Sequence, residues 1–200
     1  MKRKMYDKLL KWKNESKGSS AILIDGARRV GKSYIVKEFA QKEYESYILI
    51  DFNKTNKNIK ALFEDYLDDL DTFFMYLSNY TSTKLHERKS VIVFDEVQQY
   101  PKARAAVKYL VEDGRYDYIE TGSLISIKKN VEDIVIPSEE EHIKMFPMDF
   151  EEFLWAMGND MLMPFIRKNF EEKKPMGQLM HRKAMDYFPI DYDVLFQFFN

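Results

Sequence analysis

Gly26-Ala27-Arg28-Arg29-Val30-Gly31-Lys32-Ser33 follows the apolar run Ala21-Ile22-Leu23-Ile24 and opens onto Tyr34, Ile35 and Phe39 at helical spacing. The eight residues fit the pattern G-x-x-x-x-G-K-[ST] at every defined position. Glycine permits backbone conformations that L-residues resist. A chain can therefore leave a strand, turn its successive N–H groups inward and enter a helix within a few residues. The strand before the turn and the helix after it are both legible here.

An inward row of N–H groups, backed by the start of a helix, is a ready seat for phosphate. Gly26, Ala27, Arg28, Arg29, Val30, Gly31, Lys32 and Ser33 are thus the nucleotide-binding candidates. Lys32 is placed to reach the β- and γ-phosphates, a catalytic as well as a binding role, and the Ser33 hydroxyl to ligate Mg²⁺. A Gly-rich turn without a ligand is the alternative, and the strand–loop–helix context argues against it.

A second station lies at Val91-Ile92-Val93-Phe94-Asp95-Glu96, where an apolar strand delivers two acids at its C-terminal edge. Asp95 is the metal-holding candidate beside Ser33, and Glu96 the general base that polarises an attacking water. Asp95 stands 62 positions after Ser33, room for one more strand and a helix. A third station, Asp117-Tyr118-Ile119-Glu120-Thr121-Gly122-Ser123, ends in small polar residues. Thr121, as a catalytic residue, and Ser123, as a nucleotide-binding one, are candidates to read the γ-phosphate; a simple turn at Gly122 is the alternative for either.

Four apolar runs, Ala21–Ile24, Tyr47–Ile50, Ser90–Phe94 and Tyr116–Ile119, alternate with helical stretches such as Lys32–Lys42 and Lys102–Glu112. That order predicts a parallel sheet covered on both faces. The insertion Asn58–Tyr80 holds one or two helices, and Ile143–Pro147 suggests a fifth strand. Residues 4 to 13 form an amphipathic helix whose Lys2, Arg3, Lys4, Lys8, Lys11 and Lys13 read as a solvated face, although they could touch a phosphate backbone. The acid-rich stretches Glu64–Asp71 and Glu139–Glu141 also read as solvated faces. The tail is helical and methionine-rich and ends in "DYDVLFQFFN". The expected division is an ATPase domain over 1–158 and a helical lid, or the start of a further domain, over 159–200.

Composition narrows the function. The chain has no cysteine, which removes disulfides, thiolate zinc sites and cysteine nucleophiles. Its three histidines, His86, His142 and His181, lack metal-ligand spacing. Net charge is −2, so the chain as a whole is not an electrostatic nucleic-acid binder. No apolar run reaches the roughly 18 residues of a membrane span, and the Lys-rich N-terminus lacks a signal peptide's apolar centre. A cytoplasmic protein is the simplest fit.

With these stations the chain resembles the AAA-type ATPases of bacteria and archaea whose hallmark strings are "GARQVGKT", "FDEIQ" and "TGS…PMSFEEF". The corresponding residues are Gly26–Ser33, Phe94-Asp95-Glu96-Val97-Gln98, Thr121-Gly122-Ser123 and Pro147-Met148-Asp149-Phe150-Glu151-Glu152-Phe153, so the resemblance runs from about residue 5 to residue 160. It implies an α/β fold, a P-loop NTPase three-layer sandwich with a mostly parallel sheet and a short helical C-terminal tail. In it the Walker B strand is separated from the P-loop strand by one other. It also implies ATP rather than GTP, with Mg²⁺, and a C-terminal half that is mostly missing here, as in a fragment or decayed copy.

Related ATPases commonly carry a cation before the "PMSFEEF" string, a candidate arginine finger; this chain has Ile136-Pro137-Ser138-Glu139-Glu140-Glu141. Slow hydrolysis is the expectation, with Arg28, Arg29 or Arg115 as substitute fingers and Gln98 as a further residue that could orient water. Three functions follow: a Mg²⁺-dependent ATP hydrolase driving a conformational change, a nucleotide-gated switch, or a weakly active remnant. The partner, protein or nucleic acid, is not specified, and the apolar "VLFQFF" run would favour self-association.

Overall fold

The computed structural model describes residues 2–123 and 140–186. The chain divides into two compact units, Met5–Phe146 and Met1–Lys4 with Pro147–Asn200.

The larger unit is built on five strands, β1 (Ala21–Gly26), β2 (Ser46–Asp51), β3 (Ser90–Asp95), β4 (Asp117–Gly122) and β5 (Glu140–Met145). Their order across the sheet is β2-β3-β4-β1-β5, and every pairing is parallel, where the sequence had implied a mostly parallel sheet. The strand carrying Asp95 is separated from the strand feeding the phosphate loop by β4 alone, as the resemblance implied. β1 and β3 are buried on both faces, which is why their sequences are nearly continuous in Ile, Val and Leu. β2 lies at an edge and alternates instead.

Helices cover both faces. Met5, Leu9 and Trp12 of α1 (Lys4–Ser16) and Ile35, Val36 and Phe39 of α2 (Lys32–Glu43) pack on Ile22, Ile24, Val91 and Val93. On the other face Phe63 of α3 (Lys57–Asp65), Phe73 of α4 (Leu70–Thr81) and Val107 of α5 (Pro101–Asp113) meet Leu23, Ile92 and Phe94. This is the three-layer sandwich. The insertion holds two helices because Asn56 and Asp69 each cap one, accepting from the Ile59 and Thr72 N–H groups. α5 starts on Pro101 and stops at left-handed Gly114.

Two strands extend over charged residues that obscured them. β4 runs through Glu120 and Thr121, beyond the apolar run that ends at Ile119. β5 starts at Glu140, three residues before the expected run, and stops before Pro147. Glu140 is buried rather than solvated, because Arg104 of α5 reaches it (Nη2–Oε2 2.9 Å). Glu141 stays at the surface, bonded by Ser20 Oγ at 2.7 Å. Residues 136–139 of the expected finger segment, and the terminal "DYDVLFQFFN", lie outside the described residues.

The other supposed solvated faces are partly engaged as well. Glu64 pairs with Lys102 and Asp71 with Arg115, and Lys13 donates to the Glu43 carbonyl while lying 4.0 Å from the Tyr44 ring centroid. In the smaller unit Arg3 is buried against Glu152 (3.2 Å), and Lys4 pairs with Asp149 and Glu151 at 2.6 and 2.8 Å. These carboxylates explain the string Asp149–Glu152. Asp149 and Glu152 form a reciprocal capping box on α6 (Phe150–Ala156), and Glu151 pairs with Arg167 of α7 (Leu162–Glu171). Leu154, Leu162 and Ala184 of α8 (Gln178–Met185) make a small core there.

Beneath α5, Glu120 has no solvent exposure and shares Arg104 with Glu140. Burial pushes the Glu120 carboxyl well above the usual range, the Glu140 charge pushes the same way, and Arg104 opposes both. The folded chain therefore keeps a proton that the unfolded chain releases. Stability contributed by the site falls as pH rises above the ordinary carboxylate range toward the raised folded value. Glu120→Gln is expected to raise the melting temperature by about 3 °C near neutral pH and to flatten its decline between acidic and neutral pH. Parallel melting curves for parent and variant would refute this account.

Candidate nucleotide site

All five parallel strands end at one edge, and every station legible in the sequence of the larger unit lies there. The loop leaves β1 at Gly26, where φ is +156° and an added Cβ would lie 2.2 Å from the Met145 carbonyl oxygen of β5. That contact excludes any side chain. The loop closes at Gly31, left-handed at φ +94°, which serves as the N-cap of α2. Arg29 also takes a positive φ, 63°, without being glycine, while Val30 is buried against the α2 face of the core. The intervening Ala27 and Arg28 complete the turn.

Lys32 opens α2 and curls back, its Nζ donating to the carbonyls of Ala27 (2.8 Å) and Gly26 (3.2 Å). Burial lowers its proton affinity, and the charges of Glu96, Asp95 and Asp25 partly restore it. Ser33 donates its hydroxyl to Asp95 Oδ1 at 2.9 Å. Thr121 donates to the same oxygen, and its own hydroxyl oxygen accepts the Glu96 N–H at 3.2 Å. One carboxylate oxygen thus ties together the start of α2, the end of β3 and the end of β4.

Glu96 sits just beyond β3 in the left-handed region (φ 56°), and its carboxylate accepts from Gln98 Nε2. It lines an open cleft of about 560 Å³ with Arg28, Arg29, Asn53 and Gln99. Ser123 is buried just past β4. Asn53 and Gln99 were missed in the sequence. The signal was positional, since each lies just after the C-terminal end of a parallel strand, where ligands gather in such sheets.

Arg115 is not at this edge. It precedes β4, where Asp113 (Nε–Oδ2 2.8 Å) and Asp71 (2.6 Å) hold its guanidinium, so it cannot serve as a finger within this chain. Glu140 and Glu141 are also remote. They pair with Ala21 and Ile22 at the start of β1, about 16 Å of strand from the loop, too far to repel a bound phosphate directly.

The chain belongs to the AAA domain family, which it matches over residues 18–154. Membership makes it a nucleotide-binding, AAA-type P-loop protein. No curated protein matches it. Among solved structures, that of C. elegans PCH-2 is similar with a TM-score of 0.41 and 12% identity, over 84% of this chain. The chain spans 46% of that structure's length. Among the described residues no helix is long and apolar enough to cross a membrane.

The Thr121 hydroxyl is the joint between β3 and β4. Thr121→Val keeps the shape and removes both hydrogen bonds, leaving a buried N–H and carboxylate short of partners, at a cost of about 1–3 kcal/mol. Thr121→Ser should recover most of it. Urea unfolding of the three proteins measures the difference, and equal stabilities for parent and valine variant would contradict the geometry.

Proposed function

We propose that the chain binds Mg²⁺-ATP on the Gly26–Ser33 loop and hydrolyses it slowly, with the Ser33–Asp95–Thr121 junction as the observation that carries the reading. A hydroxyl and a carboxylate meeting beside a buried lysine form a hard-oxygen donor set of the kind Mg²⁺ prefers. Ser33 and Asp95 would hold the ion, whose chemistry is to neutralise phosphate charge and orient the β- and γ-oxygens. The loop amides and Lys32 bind the phosphates; Lys32 must first exchange the Gly26 and Ala27 carbonyls for phosphate oxygens. Glu96 faces the same cleft and takes the proton of the attacking water.

Thr121 acts through Asp95 and Glu96, since its hydroxyl proton is already committed to Asp95. Ser123 stays the candidate for the γ-phosphate, and among the described residues Arg28 and Arg29 are the cations of the cleft. On this reading residues 1–158, the larger unit together with the first part of the smaller one, form the cytoplasmic ATPase domain, and 159–200 a lid or the start of a further domain that couples turnover to a macromolecular partner.

A second reading, a switch that binds ATP without turning it over, has its own support. Gln98 occupies the Glu96 carboxylate, the group that must be free to accept a proton. One experiment addresses both. Mg²⁺-ATP should raise the melting temperature of the parent by mass action, and Lys32→Ala should lose that shift. Glu96→Gln should retain it while phosphate release falls by about 10²-fold. A shift that survives in Lys32→Ala would remove the loop as the site. Parent turnover no faster than that of Glu96→Gln would favour the switch.

A further inference from the structure

The phosphate loop is rooted in a buried carboxylate that the hydrolytic scheme does not use. Asp25, the residue before Gly26, has no solvent exposure, and neither of its oxygens receives a hydrogen bond. Among the described residues its ion-pair partner is His142 of β5, with Nε2 3.0 Å from Oδ2. His142 is 45% exposed, so the pair can exchange a proton with water although the carboxylate cannot. Lys32, at the opposite end of the loop, already feels the Asp25 charge.

The other charged groups nearby make no hydrogen bond to this carboxylate. Lys144 stands opposite Asp25 in the β1–β5 register but is exposed. Across β1, Asp25 faces Gly122, which has no side chain. Glu120 of β4, Glu140 of β5 and Arg104 of α5 form a separate buried cluster in which the one guanidinium is bonded to Glu140. Lys32 of α2 is bonded to loop carbonyls. His142 is therefore the side chain that pairs directly with the charge at the root of the loop.

We propose that the Asp25–His142 pair is a charge-setting, positioning element of the nucleotide site, which couples phosphate binding to uptake of one proton by the pair. The inference rests on the nucleotide reading above. Without the proton the pair carries one negative charge beside a seat for an anion; with it the pair is neutral, whichever partner holds the proton. Imidazole is the side chain whose ordinary charge change falls between about pH 5 and pH 8, which sets the range over which the coupling is tested. Linkage is reciprocal: if the proton strengthens phosphate binding, phosphate binding draws in the proton.

The test is calorimetric titration of the full chain with Mg²⁺-ATP at about pH 6 and pH 8, in two buffers of different ionisation enthalpy. The parent's dissociation constant should rise about five- to tenfold more across that range than that of either variant, as expected for one partly screened charge. The parent should also take up protons on binding, beyond those taken up by the variants. His142→Gln should bind with little change between the two pH values, because the imidazole through which the pair exchanges its proton with water is gone. Asp25→Asn should bind tightly at both, a gain that loss of a merely structural contact would not produce. If the parent's pH profile and proton uptake match those of Asp25→Asn, or of His142→Gln should the first variant not fold, the coupling is overturned and the nucleotide site stands. If the parent binds no Mg²⁺-ATP at either pH, both are overturned.

Discussion

One oxygen of Asp95 accepts the hydroxyls of both Ser33 and Thr121, and the functional edge of the sheet depends on that convergence. The three residues come from α2, β3 and β4, segments far apart in sequence, so the contact exists only when the strand order β3-β4-β1 is in place. It fixes the first turn of α2, and through it the Lys32 end of the phosphate loop. It also fixes the backbone of Glu96, whose N–H is held by the same threonine. A buried carboxylate with too few donors would be costly. Fold and site are thus held by the same hydrogen bonds.

How much of this could be read from the chain follows from how local each signal is. The loop is eight consecutive residues whose glycines have a backbone reason to be there. At Gly26 the structure supplies that reason in the Met145 carbonyl. Asp95 and Glu96 end a run of uninterrupted apolar residues, so their place at a strand end was also plain. Glu120, Glu140 and His142 were not readable as strand residues, because a charge in a strand breaks the apolar pattern. Their placement depends on Arg104 and Asp25, partners that only the folded topology brings near. Arg3 was misread as solvated for the same reason, since Glu152 lies 149 positions away in the sequence. Asn53 and Gln99 carry no motif, and only the common edge of the parallel strands unites them with Glu96.

The charge arrangement at that edge bears on how fast the site can work. Among the described residues Arg28 and Arg29 are the cations that line the cleft, while Arg115 is committed to Asp113 and Asp71 at the opposite edge. Among the described residues, those that would balance phosphate charge therefore lie within the loop itself. Gln98 holds the Glu96 carboxylate, and on the hydrolytic reading it would have to release it before Glu96 could act as a base. Both proposed readings expect such a site to hold a nucleotide rather than turn it over quickly.

The central claim is that the backbone from Gly26 to Ser33 grips phosphate. Hydrogen exchange of the full chain, with and without Mg²⁺-ATP, reports on those amides directly. The account predicts strong slowing in the peptide spanning Ala27 to Ser33, weaker slowing around Asp95 and Glu96, and little change in β2. Unchanged exchange across Ala27–Ser33 at a nucleotide concentration that saturates binding would contradict it.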